Sequence, residues 1–165
     1  MKIIGIDPGL ANTGYGIIKA EGARLVMVTS GAIATSAKLA TPERLKIIFS
    51  RIKILVEEFK PEAGAVEDVF VSRNIKTSFL LGQAKAAATV AVAAYEIPVF
   101  DYSASSVKQG VTGYGRADKK QVQIMVMRLL NLPQIPRPDH AADALAVALC
   151  HFNSHHLSSR IASHK

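Results

Sequence analysis

The chain has 165 residues, of which 49% are hydrophobic and 20% charged, and this suits one globular domain with a core of its own. Twenty Lys and Arg residues against 13 Asp and Glu residues give a formal charge of +7, which favours a polyanionic partner. The single cysteine excludes an internal disulfide and a cysteine-based zinc site. The sequence shows no secretory signal and no apolar stretch of the ~20 residues that span a bilayer, so we expect a cytoplasmic protein without a membrane segment.

The first predicted element is a buried strand, Ile3–Ile6, which runs out at Asp7. Pro8 and Gly9 follow and supply a chain breaker and a turn. A carboxylate at this point is held on a rigid scaffold and is open to solvent. Taken alone, an aspartate before Pro-Gly more often serves the turn than a reaction, so Asp7 needs support from elsewhere in the chain.

Two more strands, Thr13–Lys19 and Leu25–Ile33, follow with short links and predict an antiparallel meander. A helix then opens with Thr41 as its N-cap and Pro42 at its first position. Its apolar residues recur at helical spacing and form one stripe that packs on the sheet. Basic residues on the other face, including Arg44, are interpreted as solvated charge.

A short apolar run, Ala63–Val66, predicts a central strand that ends at Glu67. Two strands therefore end on acids. If the two strands are neighbours in the sheet, the carboxylates of Asp7 and Glu67 converge at one edge.

The next helix is alanine-rich and is predicted over Lys76–Tyr95, with Phe79 and Val90 available for packing. Small residues on several of its faces suit close approach by a second copy of the chain, so it is a candidate dimer interface. A helix buried entirely within the monomer would show the same pattern, and both interpretations stay open.

The next predicted element is a strand at Ile97–Phe100, and a short helix then begins after Ser103. It leads to a mobile glycine-rich loop at Gly110–Arg116 and to a helix capped by Asp118. The segment between Asp101 and Pro138 concentrates the positive charge in six basic residues: Lys108, Arg116, Lys119, Lys120, Arg128 and Arg137. The last helix is predicted from about Asp139 to Phe152, with a disordered tail at 153–165. These elements predict one α/β domain over residues 1–152, with helices on both faces of a mixed sheet.

The last helix carries His140 and Asp143, three residues apart, which places them on one face with Cβ atoms roughly 5–6 Å apart. Asp143 lies on an otherwise apolar helix, and a carboxylate there needs a cation or strong donors. Asp139 is interpreted as a helix cap, and His140 alone would be a surface histidine. Together with Asp7 and Glu67, however, this set fits a site for a hard divalent cation such as Mg²⁺.

Two such ions can activate an attacking water and stabilise the leaving oxygen of a phosphodiester. The three carboxylates suit this work. The histidine could ligate the metal, favouring Mn²⁺ somewhat, or could act as a general base.

Four motifs, in this order, resemble the RuvC Holliday-junction resolvases: Gly5–Gly9 with Thr13–Gly16, Val66–Phe70, Gly113–Lys119 and Asp139–Ala146. The resemblance implies a ribonuclease H-like three-layer α/β/α fold with a mixed five-stranded sheet. It implies a homodimeric endonuclease that uses two ions of Mg²⁺, or Mn²⁺ in its place, to nick two opposed strands of a four-way junction symmetrically in DNA recombination and repair. The implied partners are the junction itself and the branch-migration motor and junction-binding proteins of the resolvasome.

The same resemblance assigns catalytic and metal-binding roles to Asp7, Glu67 and Asp143, and it aligns His140 with the fourth acidic position of the family. It also implies DNA contacts. Phe70 matches an aromatic residue that stacks on a base, Lys108 and Lys119 match lysines near the scissile phosphate, and further phosphate-contact candidates are Arg73, Lys76 and Arg116.

Two other functions remain to be distinguished. A non-catalytic junction-binding module would need the basic surface but not the acids. An actin-like ATPase would also have an Asp-Pro-Gly turn, but it needs two such domains, which 165 residues cannot hold.

Overall fold

Short, strongly apolar runs form a central sheet in this protein. The structure is a computed structural model that describes residues 1–22, 24–68 and 74–162, with side chains as far as His155 in the last helix. Its strands are β1 (Lys2–Asp7), β2 (Asn12–Glu21), β3 (Arg24–Ala34), β4 (Ala63–Glu67) and β5 (Val99–Tyr102). They form one five-stranded sheet in the order β3-β2-β1-β4-β5.

The pairing of the strands confirms the predicted antiparallel meander and the predicted mixed sheet. β1, β2 and β3 form the expected antiparallel meander. β4 lies parallel to β1 on one side and to β5 on the other, so the sheet is mixed and the strands that end in Asp7 and Glu67 are neighbours. β5 begins two residues later than the sequence predicts.

Helices cover both faces of this sheet, as the order of elements predicts. They are α1 (Thr41–Phe59), α2 (Ile75–Ala93), α3 (Ala104–Thr112), α4 (Lys119–Leu129) and α5 (Asp139–Ala162). α1 and α2 pack on one face in a cluster with the side chains of Ile4, Ile6 and Val66. α3, α4 and α5 pack on the other face, where Ile3 and Ala65 lie. The three-layer α/β/α prediction is confirmed.

Several predicted boundaries are wrong for identifiable reasons. α1 is capped at Ala40 rather than Thr41, and the Glu43 carboxylate accepts the Ala40 backbone N–H at 3.1 Å. The segment predicted as a loop from Gly110 is helical as far as Thr112, because Val111 is buried.

α5 continues to Ala162, well beyond its predicted end near Phe152. Among the described residues, no helix is both long and apolar enough to cross a bilayer.

α2 is only partly buried within the monomer, so the alternative of a helix buried entirely within the monomer is wrong. It buries a stripe of small residues that includes Ala84, Ala88 and Ala91, while Phe79 and Val90 are 70% and 56% exposed. The small residues allow α2 to lie close to its neighbours. Phe79 and Val90, which the sequence leaves available for either kind of packing, therefore face away from the core.

Candidate active site

Two strand ends bring the first two acids together. β1 and β4 run in the same direction with Ile6 paired to Val66, so Asp7 and Glu67 occupy the next position on adjacent strands. Successive side chains of a strand point to opposite faces. Gly5, two residues before Asp7, lies against α5, and Asp7 and Glu67 therefore both face the α5 side of the sheet.

Glycines in β1 and β2 allow α5 to lie almost directly on the sheet. A Cβ at Gly5 would lie 2.1 Å from the Ala144 carbonyl oxygen, and a Cβ at Gly14 would lie 2.1 Å from that of His140. Gly14 pairs with Asp7 across the β1–β2 ladder. The first turn of α5 is thus seated beside Asp7 because no side chain intervenes.

This seating brings His140 and Asp143 to the strand ends. His140 Nδ1 lies 2.8 Å from Asp7 Oδ2. Asp7, His140 and Asp143 each offer a ligand atom, and these atoms all lie within 4.8 Å of one another. All three side chains are partly buried, with 19%, 43% and 24% of their surface exposed.

The three residues line an open cleft of about 350 Å³ that Glu67 also lines. Glu67 is not in the compact ligand group but shares the cleft with it. The structure therefore brings together the four residues predicted for the site: Asp7, Glu67, His140 and Asp143.

Burial and the crowding of carboxylates raise the proton affinity of two acids in the cleft. Burial, reinforced by the charges of Asp7 and Asp143, raises the pKa of Glu67 to about 7, against the opposing effect of Lys108 and Lys119. Burial likewise raises the pKa of Asp7, and the hydrogen bond with His140 offsets only part of the rise. Ionisation of these carboxylates in the cleft is therefore unfavourable in free energy, and a bound cation would make it more favourable.

The donor set fits a hard divalent cation. Carboxylate oxygens and one imidazole nitrogen converge within a few ångströms, and such ligands suit Mg²⁺ or Mn²⁺. With the proton of the imidazole on Nδ1 and donated to Asp7, the Nε2 atom keeps a lone pair that can ligate a metal or accept a proton.

Two predicted DNA-contact lysines lie in the same cleft. Lys108 and Lys119 both line it. The Lys119 ammonium lies 2.9 Å from Asp143 and 3.6 Å from Asp139, and the hydrogen bond to Asp143 raises the pKa of this lysine. Asp139 is the first residue of α5 rather than its cap, and it stays outside the ligand group.

The other predicted DNA contacts lie elsewhere. Lys76 is exposed at the start of α2, and Arg116 is exposed before α4; neither lines the cleft. Phe70 and Arg73 fall outside the described residues.

The sequence interpretation overlooked the residues that hold the turn after Asp7. The Thr13 hydroxyl donates to the Gly9 carbonyl oxygen at 2.7 Å, and Thr35 donates to the Leu10 carbonyl oxygen. Arg44, interpreted as solvated charge, donates from Nε to the Thr35 hydroxyl at 2.8 Å. Glycines at alternate positions of a strand were the available signal for the close approach of α5, since they indicate that another backbone approaches closely.

Comparison with known proteins gives consistent matches over nearly the whole chain. The family model described as crossover junction endodeoxyribonuclease RuvC matches residues 3–151. The protein of that name from Syntrophomonas wolfei subsp. wolfei is 50% identical over 163 residues, which cover 99% of this chain and 95% of that protein. The one from Alkaliphilus metalliredigens is also 50% identical, over 96% of this chain and 97% of that protein.

The structure matches as well. The solved structure described as Thermus thermophilus RuvC in complex with Holliday junction substrate superposes with a TM-score of 0.91 at 35% sequence identity. The match covers 96% of each chain.

Proposed function

The chain belongs to the RuvC family of crossover junction endodeoxyribonucleases, and we propose that it resolves four-way DNA junctions by nicking two opposed strands symmetrically during recombination and repair. The observation that carries this proposal is the cleft in which Asp7, His140 and Asp143 offer ligand atoms within 4.8 Å of one another, with Glu67 on the same wall. The matched Thermus thermophilus protein was solved with a Holliday junction substrate, which supports the choice of substrate.

Asp7, Glu67, His140 and Asp143 are the proposed ligands of Mg²⁺, with Mn²⁺ as a substitute and two ions in each site. Bound ions supply an activated water and charge stabilisation at the leaving oxygen. The chain itself contributes oxygen ligands on two adjacent strand ends and a helix, which keeps their spacing fixed. His140 Nε2 either completes the ligand set or takes a proton from the water.

Positive side chains at the rim would place the scissile phosphate. Lys108 and Lys119 line the cleft beside the carboxylates, where their charges can neutralise a phosphate and oppose the build-up of negative charge in the reaction. Arg116 and Lys76 are exposed cations suited to phosphates farther along the DNA arms. Phe70 and Arg73 are proposed, from the family resemblance, as a stacking residue and a phosphate contact.

Symmetric nicking needs two active sites, and α2 offers the surface for a dimer. Its outward face carries an apolar stripe at helical spacing that includes Ile75, Phe79, Ala86 and Val90. Ile75 and Phe79 are 66% and 70% exposed, an unusual degree for large apolar side chains that stand together. A second copy of the chain would cover this stripe and place one cleft on each copy.

The family resemblance supports two further proposals. The branch-migration motor and the junction-binding proteins of the resolvasome would deliver the junction to this enzyme. An enzyme that acts on cellular DNA works where that DNA lies, and we propose the cytoplasm.

The decisive experiment incubates the purified protein with a synthetic four-way junction and Mg²⁺ or Mn²⁺. Paired nicks at symmetric positions are the expected result. Asp7→Asn should bind the junction and fail to cut it, whereas Glu58→Gln, an exposed acid on the α1 side of the sheet, should cut normally. A wild-type protein that binds junctions without nicking them would instead be a non-catalytic binding module, and cleavage by Asp7→Asn would refute the proposed site.

A further inference from the structure

An ion-pair cluster lies on the opposite face of the sheet from the cleft. The Lys85 ammonium, on α2, lies 2.8 Å from Asp68 Oδ1 and 2.9 Å from Asp101 Oδ1. The Lys85 side chain is only 18% exposed, although both carboxylates are more than half exposed. A single cation therefore links α2 to two adjacent strands, at the end of β4 and within β5.

This cluster is one residue away from the proposed active site. Asp68 directly follows Glu67, and its backbone N–H donates to the Tyr102 carbonyl oxygen at 2.8 Å. Glu67 pairs with Tyr102, and Val66 pairs with Asp101. Because side chains alternate along a strand, Glu67 points into the cleft while Asp68 points toward Lys85.

We propose that Lys85 is a positioning residue that fixes the end of β4, so that the Glu67 carboxylate is held at the metal-binding cleft. The inference rests on the proposed function of the cleft. The ammonium ties Asp68, at the end of β4, to Asp101 in β5 and to α2, and replacement of Lys85 removes this link. Groups that orient a metal ligand from behind usually change metal affinity or activity when they are removed.

The ion pairs of Lys85 with Asp68 and Asp101 are not explained by a contribution to the stability of the fold. Ion pairs whose carboxylates are open to water contribute little to the free energy of folding. The consequence of losing Lys85 should therefore appear in the geometry of the cleft more than in the melting temperature.

The test compares Lys85→Met with Lys85→Arg and with Lys53→Met. Lys53 is the matched control, since it forms an exposed ion pair with Glu57 at 3.8 Å on α1. Mn²⁺ binding to the DNA-free protein is measured by electron paramagnetic resonance, alongside the melting temperature and the single-turnover rate of junction cleavage.

Lys85→Met should weaken Mn²⁺ binding and slow cleavage by about 10-fold each, with little change in melting temperature. Lys85→Arg should restore both, because a guanidinium can pair with the same two carboxylates. Wild-type Mn²⁺ affinity in Lys85→Met, or equal effects of Lys85→Met and Lys53→Met, would overturn the inference.

Two further outcomes remain decisive. If Lys85→Met does not fold, Asp101→Asn weakens the same link from the β5 side, so weakened Mn²⁺ binding supports the inference and wild-type binding overturns it. If the wild-type protein fails to nick a junction, the proposed function is wrong, while the Mn²⁺ affinities of the variants still decide the role of Lys85.

Discussion

Replacement of Glu67 by glutamine should stabilise the metal-free protein at alkaline pH while abolishing cleavage. The pKa of Glu67 is raised to about 7 from an ordinary value of 4.5, with burial as the main cause and the charges of Asp7 and Asp143 adding to it. A carboxyl with a raised pKa binds its proton more tightly in the folded than in the unfolded protein. Its contribution to stability is therefore full at pH values below 4.5 and is lost as the pH rises through 7.

The size of this loss follows from the pKa. Each tenfold change in a proton-binding constant corresponds to about 1.4 kcal/mol, so the full rise corresponds to about 3 kcal/mol. The cleft is partly open to water, which screens the repulsion, and we expect a measurable effect of about 1–2 kcal/mol. Glutamine has the same shape and stays neutral, so the variant avoids the loss.

The assay is denaturant unfolding in EDTA at pH 5 and pH 8.5, at one fixed protein concentration. The free energy of unfolding of Glu67→Gln minus that of wild type should be about 1–2 kcal/mol larger at pH 8.5 than at pH 5, which means that the variant is relatively more stable at the higher pH. Glu58→Gln, an exposed acid on α1, is the control and should follow wild type at both pH values. Added Mg²⁺ should stabilise wild type more than Glu67→Gln at pH 8.5. Parallel pH–stability curves for wild type and Glu67→Gln would refute the argument that burial and the neighbouring carboxylates raise the pKa of Glu67.

Three further predictions concern His140, the close packing of α5 on the sheet and the dimer. Replacement of His140 by alanine should slow cleavage, because it removes the imidazole whose Nδ1 lies 2.8 Å from Asp7 Oδ2, and an unchanged cleavage rate would contradict a role for His140. Gly14→Ala should slow cleavage by about 100-fold, because the added Cβ would lie 2.1 Å from the His140 carbonyl oxygen and must displace the first turn of α5. Phe79→Glu should weaken dimerisation by about 30-fold or more in sedimentation experiments, and a monomeric wild type would rule out the proposed interface.

The convergence of Asp7 and Glu67 could be predicted from the sequence because each acid ends a short apolar run. Two such strands need only be parallel neighbours to bring the carboxylates together, and β1 and β4 are paired in this way. The placement of His140 beside Asp143 follows from helical spacing alone. The contact between His140 and Asp7, however, joins residues far apart in the chain, and it depends on how closely α5 can approach the sheet.

Glycine was harder to interpret because the same residue serves two purposes. The sequence interpretation treats Gly110 as the start of a loop, whereas it lies within α3. A Cβ at Gly110 would lie 2.9 Å from the Cys150 sulfur on α5, so its small size serves helix packing. Nothing local in the sequence distinguishes a glycine that ends a helix from one that admits a neighbouring helix.

The role of Lys85, on the opposite face of the sheet from the cleft, could not be predicted from the sequence either. Lys85 sits in an alanine-rich helix and resembles any lysine that adds polarity to an apolar surface. Its role emerges only when β4 and β5 are placed side by side, which brings Asp68 and Asp101 to one ammonium group. Long-range pairs of this kind depend on sheet order, which the composition of the separate segments does not specify.

The two faces of β4 together explain how the cleft can hold so much negative charge. On the α5 face, Glu67 shares the cleft with Asp7 and Asp143, and burial together with their charges raises its pKa. On the other face, the next residue, Asp68, is anchored by Lys85 and by its backbone bond to β5. A strand end that carried the repelled carboxylate without an anchor could relax away from the cleft and lose the geometry that a metal needs. The alternation of side chains along one strand therefore places the charge and its anchor next to each other in the chain, on opposite faces of the sheet.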